Sequence, residues 1–502
     1  MTAKLVLFFG GLCALGVAAA WLMLYITPFG IGIWLDSLHY ISAAASFVDG
    51  LGFGRVSGCG SFKPMTHYPP FYPFTLAAFS ALDLSPVRAA RVVSALCFGS
   101  TVTLSGLLLY KMNRSRLLAL LGAGLVMVSA ATLKAFSWAL SEPLYIPLFM
   151  AGFLFLAFYL EQPRRFFLLG VGGLLGLAFL TRYVGVAEVV SAGFVLFLNH
   201  RLKMKRRLLD LSVLGVLGVG PVLLWFIRNY RWMGTTADRN LGLHPPGSEV
   251  WSTFAGTVLG WFFPKTWTTG QEMTWFIGLG GVCALMLAGG VYWSWRKDKL
   301  CWRVSSLELL LVTSILTYML LLGVSLTFFD PNTALNDRIL IPVYVQLIIL
   351  LVSLVGRAIQ SSRVMFQAAA VIGLGLFMVW QVQGARLVIQ ELRKDGQGYA
   401  SSFWRGSMII KELKEMQPSL VYSNDITAVY FLVGVPACSI PVRDDLQALA
   451  AMREKLSQAH TVLAIFGRYV SGEFIPYEEV RRGLQTIYDQ SDGEILALPG
   501  SP

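Results

Sequence analysis

The hydrophobic positions of this chain fall into long runs with little alternation. Runs of about twenty apolar residues recur as far as residue 382, and each can cross a bilayer core of about 30 Å as a helix. The pattern predicts about eleven transmembrane spans. Their predicted bounds are 5–27, 87–110, 117–137, 140–160, 166–181, 183–200, 208–228, 273–295, 305–328, 339–356 and 364–382, with a hinge at Thr181-Arg182-Tyr183 between the fifth and the sixth.

The first apolar run follows Lys4 and contains Ala18-Ala19-Ala20, which resembles a signal-peptide cleavage site. The run is longer than the apolar segment of a typical signal peptide. We therefore expect it to be retained as the first transmembrane helix.

The pattern changes after residue 382. Residues 420–423 and 461–466 are predicted to be short buried strands, and residues 387–394, 403–416, 444–456 and 477–488 are predicted to be helices. Strands that alternate with helices indicate a small α/β domain. The predicted fold is an α-helical polytopic membrane protein with a small α/β C-terminal domain, divided into residues 1–382 and 383–502.

Composition agrees with a membrane protein. Of the 502 residues, 56% are hydrophobic and 14% are charged, too few polar groups to cover a soluble protein of this length. The net charge of +12 would favour nucleic-acid binding in a soluble protein. Here the basic residues lie between apolar runs, which favours contact with anionic membrane lipids, and no nucleic-acid partner is expected.

The basic connectors predict the orientation. Under alternation they fall on one side, at residues 111–116, 164–165, 201–207, 296–303 and 357–363. The positive-inside rule makes that side cytoplasmic, so the N-terminus is expected inside and the C-terminus outside. The long connectors, residues 28–86, 229–272 and 329–338, lie on the other side with the tail. We therefore expect the chemistry on the outer face.

The first outer connector contains a candidate catalytic carboxylate. Apolar residues at positions 38, 41, 45 and 48 have helical spacing, which predicts a helix over residues 36–49 along the membrane surface. Asp36 and Tyr40 then share one face, and the helix dipole stabilises a carboxylate at the helix start. An N-cap role for Asp36 fits the same spacing.

A proline-rich segment, residues 66–73, follows in the same connector. Its prolines stiffen the chain. His67 and Tyr68 are suited to a substrate site at the membrane interface, and equally to an aromatic belt that anchors the chain there.

Charged residues recur at predicted outer helix ends. Glu142 begins the fourth span, where a carboxylate is costly unless it is paired, and Arg182 reaches the same depth. The two form either a structural ion pair or part of a site for an anionic headgroup. Arg338, beside Asp337, is suited to bidentate phosphate contact or to snorkelling. Glu188, within the sixth span, either pairs with a neighbouring helix or marks a polar pathway.

The six cysteines show no CxxC motif and no metal-type spacing, so no metal ligands are assigned. Cys59 and Cys438 both fall on the predicted outer side and are able to pair, although their spacing does not require a bridge.

Several motifs together resemble a known superfamily. In order they are Asp36 with Tyr40, residues 67–73, Ser141-Glu142-Pro143-Leu144-Tyr145, Leu180-Thr181-Arg182 and residues 337–342. The set is similar to the C-type integral membrane glycosyltransferases, in the protein O-mannosyltransferase and aminoarabinose-transferase branch, over residues 5–382. Residues 421–425 and 440–441 also resemble tails of bacterial members.

The resemblance implies a sugar donor carried on polyprenyl phosphate and a lipid, glycan or protein acceptor. It implies that Asp36 is the general base, that transfer inverts the anomeric centre, and that the protein lies in a bacterial inner membrane. A phosphate leaving group needs cations, which makes Arg182 and Arg338 candidates. The remaining candidates for donor or substrate binding are Tyr40, His67, Tyr68, Glu142 and Asp337.

Two positions depart from the family pattern. Ser37 follows Asp36 where many relatives have a second acid, which weakens the case for a metal at that position. A divalent metal is left open, and no cofactor is assigned. Tyr68-Pro69-Pro70 replaces the Lys-Pro-Pro of the aminoarabinose branch, which argues against that reaction.

Two other functions share part of this pattern. A transporter or flippase of lipid-linked saccharides would place polar residues at the bilayer midplane in repeated halves, whereas here, apart from Glu188, the polar groups lie at the outer edge. A glycan ligase or polymerase with a diphosphate-linked donor would have a large late outer loop, and residues 229–272 form a modest one.

Overall fold

The structure is a computed structural model that describes residues 3–57, 59, 61–239, 241–281, 305–331, 333–360, 364–458, 460–467 and 474–499. Most of these residues are helical. The α-helices are Ala3–Ile26, Leu35–Val48, Phe71–Ser80, Pro86–Asn113, Arg116–Met127, Ala130–Phe136, Glu142–Glu161, Arg165–Thr181, Val186–Phe197, Met204–Met233, Ser248–Gly260, Lys265–Thr268, Ser306–Phe328, Asp337–Ile359, Val364–Lys394, Ser402–Gly406, Met408–Met416, Ile426–Ala428, Leu446–Leu456 and Tyr477–Val480. The strands are β1 (Gly54–Ser57), β2 (Ser61–Pro64), β3 (Leu420–Ser423), β4 (Ala437–Ser439), β5 (Thr461–Phe466), β6 (Gln485–Gln490) and β7 (Gly493–Ala497).

The chain forms two compact units. The first unit comprises Met1–Ile26, Thr66–Thr75 and Arg91–Gln390, and the second comprises Thr27–Met65, Leu76–Ala90 and Glu391–Pro502. Parts of the first connector therefore belong with the tail. The division of the chain at residue 382 stays a prediction.

The predicted helical membrane architecture is confirmed. Among the described residues, seven helices are long and apolar enough to cross a membrane, or eight if the bent pair Arg116–Met127 and Ala130–Phe136 is one span. Arg165–Thr181 and Tyr183–Phe197 are shorter apolar helices, which correspond to the predicted short fifth and sixth spans. The predicted span 273–295 lies largely outside the described residues, so the number of eleven stays a prediction.

The bent pair turns by 56° at Val128 and Ser129. The Thr132 hydroxyl donates to the carbonyls of Val126 and Ser129, at 2.7 and 2.9 Å, and the Ser129 hydroxyl lies 2.6 Å from that of Tyr344. A side chain that bonds backbone carbonyls released at a break makes such a kink tolerable in a bilayer.

Polar contacts within the first unit join helix ends that alternation places on the same side. On the side of the basic connectors, hereafter the basic face, Lys111 Nζ lies 2.5 Å from Glu161. Arg357 pairs with Glu308 on the same face. At the other end of the helix Glu142–Glu161, Glu142 forms an ion pair with Arg182. The helices therefore pack with the alternation that hydropathy predicted.

The second unit contains the predicted small α/β fold. Its five-stranded sheet has the order β4-β3-β5-β7-β6, with β3 parallel to β4 and β5, and β7 antiparallel to β5 and β6. The helices cover a core that includes Tyr422, Ile440, Leu449, Leu463 and Leu496. The predicted strands 420–423 and 461–466 are confirmed with the same bounds.

Three predicted helices of the tail need correction. The predicted helix 403–416 is divided at Ser407 into Ser402–Gly406 and Met408–Met416. The predicted helix 387–394 is the last part of Val364–Lys394, which continues past residue 382 without a break. The predicted helix 477–488 is wrong beyond Val480, because Gly483 has a left-handed φ of 81° and the chain then enters β6. Every second residue of β6 is exposed, and the strand pairs with β7, a partner that its own sequence does not reveal.

The first connector and the tail are joined within the second unit. Cys59, in the turn between β1 and β2, forms a disulfide bond with Cys438 in β4, with Cα atoms 4.9 Å apart. The Tyr399 amide donates to the Ile33 carbonyl at 3.4 Å, and the Arg405 guanidinium lies 3.3 Å from the Phe29 ring centroid. The pairing that the sequence left open is therefore present.

The Cys59→Ser variant tests this bond. We expect it to destabilise the second unit by about 2–4 kcal/mol, because the unfolded chain loses a cross-link. Thermal unfolding monitored by tryptophan fluorescence should show a lower midpoint. Cys13→Ser is the matched control, since Cys13 is a free, exposed thiol. Equal midpoints for both variants would contradict a stabilising role.

Candidate active site

A buried carboxylate in the first unit lies between two arginines. The Glu142 side chain is 1% exposed, and its Oε1 lies 2.6 Å from Arg182 Nη1 and 2.9 Å from Arg338 Nε. Glu142 begins its helix ahead of Pro143, Arg182 follows the helix that ends at Thr181, and Arg338 is the second residue of its helix. Three helix ends thus bring together residues that are 40 and 156 positions apart in sequence.

Both arginines of this cluster contact the same carboxylate. Two guanidinium groups face one carboxylate, and two of the helix ends are N-termini, whose dipoles favour anions. Arg182 also donates to the Ser141 hydroxyl at 3.1 Å. Glu142 Oε2 accepts no hydrogen bond from the described part of the chain. The ion pair between Glu142 and Arg182, one of the two alternatives that the sequence left open, is present, and Arg338 joins it.

Asp337 makes a different contact. Its Oδ1 accepts a hydrogen bond of 2.8 Å from Trp261 Nε1. The Trp261 ring packs on Tyr344 with centroids 4.9 Å apart, and its carbonyl accepts from Gln381 Nε2 at 2.9 Å. Asp337 thus fastens the connector around Trp261 to the helix that carries Arg338. Trp261 was missed by sequence analysis, because a tryptophan in an aromatic connector has no distinguishing pattern.

The segment that contains His67 and Tyr68 is attached near Arg182. The Thr66 carbonyl accepts hydrogen bonds from Tyr183 Oη, at 3.4 Å, and from Asn229 Nδ2, at 3.3 Å. His67 Nδ1 lies 3.3 Å from the Asp238 carbonyl, and the imidazole meets the Tyr68 ring edge-on at 4.7 Å. The structure therefore ties this motif to the residue directly after Arg182.

A second ion pair was also missed. Arg239 pairs with Asp330 and lies 6.0 Å from the centroid of the Tyr183 ring. Arg239 lies in a long connector without a periodic pattern, so its sequence gave no sign of a partner. Their pairing links the connector after Met233 to the end of the helix Ser306–Phe328.

Asp36 and Tyr40 lie in the second unit. Asp36 is the second residue of the helix Leu35–Val48 and is partly exposed, whereas Tyr40 is 3% exposed. Trp34 occupies the N-cap position, and its amide donates to the Ser37 hydroxyl at 3.0 Å. The N-cap interpretation of Asp36 is therefore wrong. Its carboxylate lies in the first turn, where the dipole favours the ionised form.

The tail motif has structural contacts. Asp425 follows β3. Its side chain accepts hydrogen bonds from the Ala428 amide, at 2.9 Å, and from Tyr399 Oη, at 2.8 Å. Burial raises the pKa of the Asp425 carboxyl, and these hydrogen bonds oppose the shift. Asn424 exchanges two hydrogen bonds with the backbone of Phe466, at 2.8 and 2.9 Å. These residues fasten neighbouring segments of the second unit.

Glu188 is held between helices. Tyr145 Oη donates to its Oε1 at 2.6 Å, and Ser314 donates to its Oε2. Of the two interpretations of Glu188, the structure therefore shows pairing with neighbouring helices. Among the described residues, no three His, Cys, Asp or Glu side chains cluster as metal ligands would.

Comparison with known proteins agrees with this architecture. Residues 67–225, which include His67, Glu142 and Arg182, match the sequence model of the family described as dolichyl-phosphate-mannose-protein mannosyltransferase. The predicted resemblance is confirmed. No curated protein matches this mannosyltransferase-like chain by sequence.

Solved structures share the fold of this mannosyltransferase-like chain. ArnT from Cupriavidus metallidurans matches over 99% of this chain and 98% of its own, at 12% identity, with TM-scores of 0.59 bound to undecaprenyl phosphate and 0.62 in the apo state. The Archaeoglobus fulgidus oligosaccharyltransferase in complex with Zn and sulfate matches over 96% of this chain and 73% of its own, at 9% identity, with a TM-score of 0.53. The chain therefore shares its fold with these two solved proteins.

The Glu142→Gln variant tests how the cluster is held. We expect a loss of about 3 kcal/mol in stability, because two half-buried guanidinium groups lose their counter-charge. Glu161→Gln is the matched control at the other end of the same helix. Glu161 is 46% exposed and also contacts two cations, Lys111 and Arg114, so its loss should cost under about 1 kcal/mol. Thermal unfolding in detergent distinguishes the two, and similar midpoints would contradict the argument.

Proposed function

We propose that this protein is a membrane glycosyltransferase that moves a sugar from a polyprenyl-phosphate donor to an acceptor hydroxyl, with inversion, on the outer face of a bacterial inner membrane. The observation that carries the proposal is the pair of arginines on Glu142 within a mannosyltransferase-like fold. The related structure of ArnT is bound to undecaprenyl phosphate, a lipid of the same chemical class. The acceptor is a lipid, a glycan or a protein.

The arginines suit the leaving group. When the bond between the anomeric carbon and the phosphate oxygen breaks, negative charge accumulates on the phosphate. Preorganised donors that face this charge stabilise the transition state more than the ground state. Arg182 and Arg338 are fixed by one buried carboxylate, so little reorganisation is needed when they bind the phosphate. Glu142 acts here as a positioning residue.

Asp36 is proposed as the general base. Its carboxylate accepts the proton of the acceptor hydroxyl, the hydroxyl oxygen forms a bond to the anomeric carbon, and polyprenyl phosphate leaves with the electron pair of the broken bond. The position of Asp36 in the first turn supports this role, because negative charge is favourable near a helix N-terminus. Tyr40, His67, Tyr68 and Asp337 are proposed to line the donor and acceptor sites.

The orientation rests on two independent features. The basic connectors share one face, which the positive-inside rule assigns to the cytoplasm. Cys59 and Cys438, which the sequence assigns to the opposite side, form a disulfide bond. Disulfides persist in oxidising compartments such as the periplasm. Both features support a cytoplasmic N-terminus and an extracytoplasmic tail.

Turnover by an Asp36→Asn variant tests the base. The purified protein in nanodiscs is given a panel of polyprenyl-phosphate sugars with candidate acceptors, and released polyprenyl phosphate is measured. We expect turnover to fall by about 10²–10⁴-fold without the base. Asp49→Asn, at the other end of the same helix, should retain turnover. An Asp36→Asn variant as active as Asp49→Asn would remove Asp36 from the mechanism.

Arg338→Gln tests the phosphate contact. We expect kcat/KM for the donor to fall by about 10²–10³-fold. Arg357→Gln is the matched control, because Arg357 lies on the same helix and also pairs with a buried glutamate, Glu308, on the basic face. It should alter thermal stability and leave kcat/KM unchanged. Equal losses of kcat/KM in both variants would indicate a structural role for Arg338.

A further inference from the structure

A cavity on the basic face has no part in the proposed reaction. Its volume is about 640 Å³, within the range of about 300–1,000 Å³ for small-ligand pockets. It opens among the ends of the helices Pro86–Asn113, Glu142–Glu161 and Val186–Phe197 and the start of Ser306–Phe328. These are the ends at which the predicted cytoplasmic connectors begin.

The lining is divided between polar and apolar groups. The polar part consists of basic, amide and hydroxyl side chains and one acid: Lys111, Glu161, Asn199, His200, Arg201, Ser305 and Ser306. The other half is aliphatic, mostly leucine. A site that combines phosphate-binding groups with an apolar wall at a membrane boundary is suited to a lipid. Free phosphate would contact only the polar half.

Arg201 is a cation of this cavity that forms no ion pair with the described residues. Lys111 is already paired with Glu161 at 2.5 Å and lies 4.4 Å from the Phe158 ring centroid. The Arg201 side chain, by contrast, has no hydrogen bond or ion pair with any residue that the structure describes. Its backbone amide donates to Asn199 Oδ1 at 3.3 Å, and Leu202 donates to the Asn199 carbonyl at 3.2 Å. A tight turn therefore presents Arg201 at the cavity.

We propose that this cavity binds the phosphate of an anionic phospholipid from the cytoplasmic leaflet. Arg201 contacts the phosphate, His200 and the serine hydroxyls complete the polar contacts, and the acyl chains lie along the aliphatic half. Basic pockets between transmembrane helices on the cytoplasmic side are suited to anionic headgroups. The site is separate from the Glu142 cluster, which lies at the other end of the helix Glu142–Glu161.

Native mass spectrometry tests this site. The full-length protein in phosphatidylcholine nanodiscs is titrated with phosphatidylglycerol, and bound anionic lipid is counted per protein without any sugar donor. We expect Arg201→Ala to weaken retention of phosphatidylglycerol about fivefold, the effect of one basic residue at a membrane surface. Arg201→Lys should keep most of the retention. Arg165→Ala is the control, since Arg165 is an exposed basic residue of the same face outside the cavity.

Three outcomes overturn the proposal. Equal retention by Arg201→Ala and Arg165→Ala shows that lipid contact is not local to the cavity. Displacement of phosphatidylglycerol by millimolar inorganic phosphate identifies a free anion as the ligand. Equal retention of phosphatidylcholine shows that headgroup charge does not matter. Because no donor is present, each result is independent of whether the proposed glycosyl transfer is correct.

Discussion

A carboxylate at the edge of a bilayer is stable only when cations share its burial, and the arrangement of the first unit follows from how Glu142 meets this requirement. Neither arginine lies near Glu142 in sequence, so the ends of three helices must meet for the charge to be balanced. The contact restricts the depth and rotation of those helices. A single carboxylate contacts two guanidinium groups, so the cluster is larger than a one-to-one ion pair.

Two buried carboxylates on the basic face, Glu308 and Asp210, follow the same rule with one arginine each. Glu308, on the basic face, is paired with Arg357 and accepts from the Ser353 hydroxyl at 2.9 Å, while Asp210 pairs with Arg206 one turn away at 3.0 Å. In each of these pairs one arginine meets one carboxylate. Glu161, also on the basic face, contacts two cations, Lys111 and Arg114, but it is 46% exposed. The two faces therefore differ in connector length and in how deeply the carboxylate that contacts two cations is buried.

The sequence predicted what depends on local composition and on order along the chain. Apolar runs located most of the helices, and the depth of Glu142 and Arg182 indicated their contact because each begins or ends a span. The contact between Arg338 and Glu142 was not predicted. An arginine that snorkels to the membrane surface would occupy the same position in the sequence, so the sequence does not distinguish the two. The partner of Asp337 was missed because Trp261 is 76 residues away. β6 was predicted to be helical because the spacing of its own residues does not indicate that it pairs with β7.

The disulfide bond has a consequence for biosynthesis. Cys59 and Cys438 are separated by 379 residues, and between them lie most of the membrane-spanning helices. At ribosomal rates of about 5–20 residues per second, Cys59 waits roughly 20 to 80 seconds for its partner to be made. In the proposed orientation, the Cys59 thiol faces the oxidising side during that interval and can form mixed disulfides with other proteins. Correct assembly then depends on a thiol oxidant that acts late, or on an isomerase that reverses early errors. The bond between Cys59 and Cys438 forms only after nearly all of the chain has been synthesised.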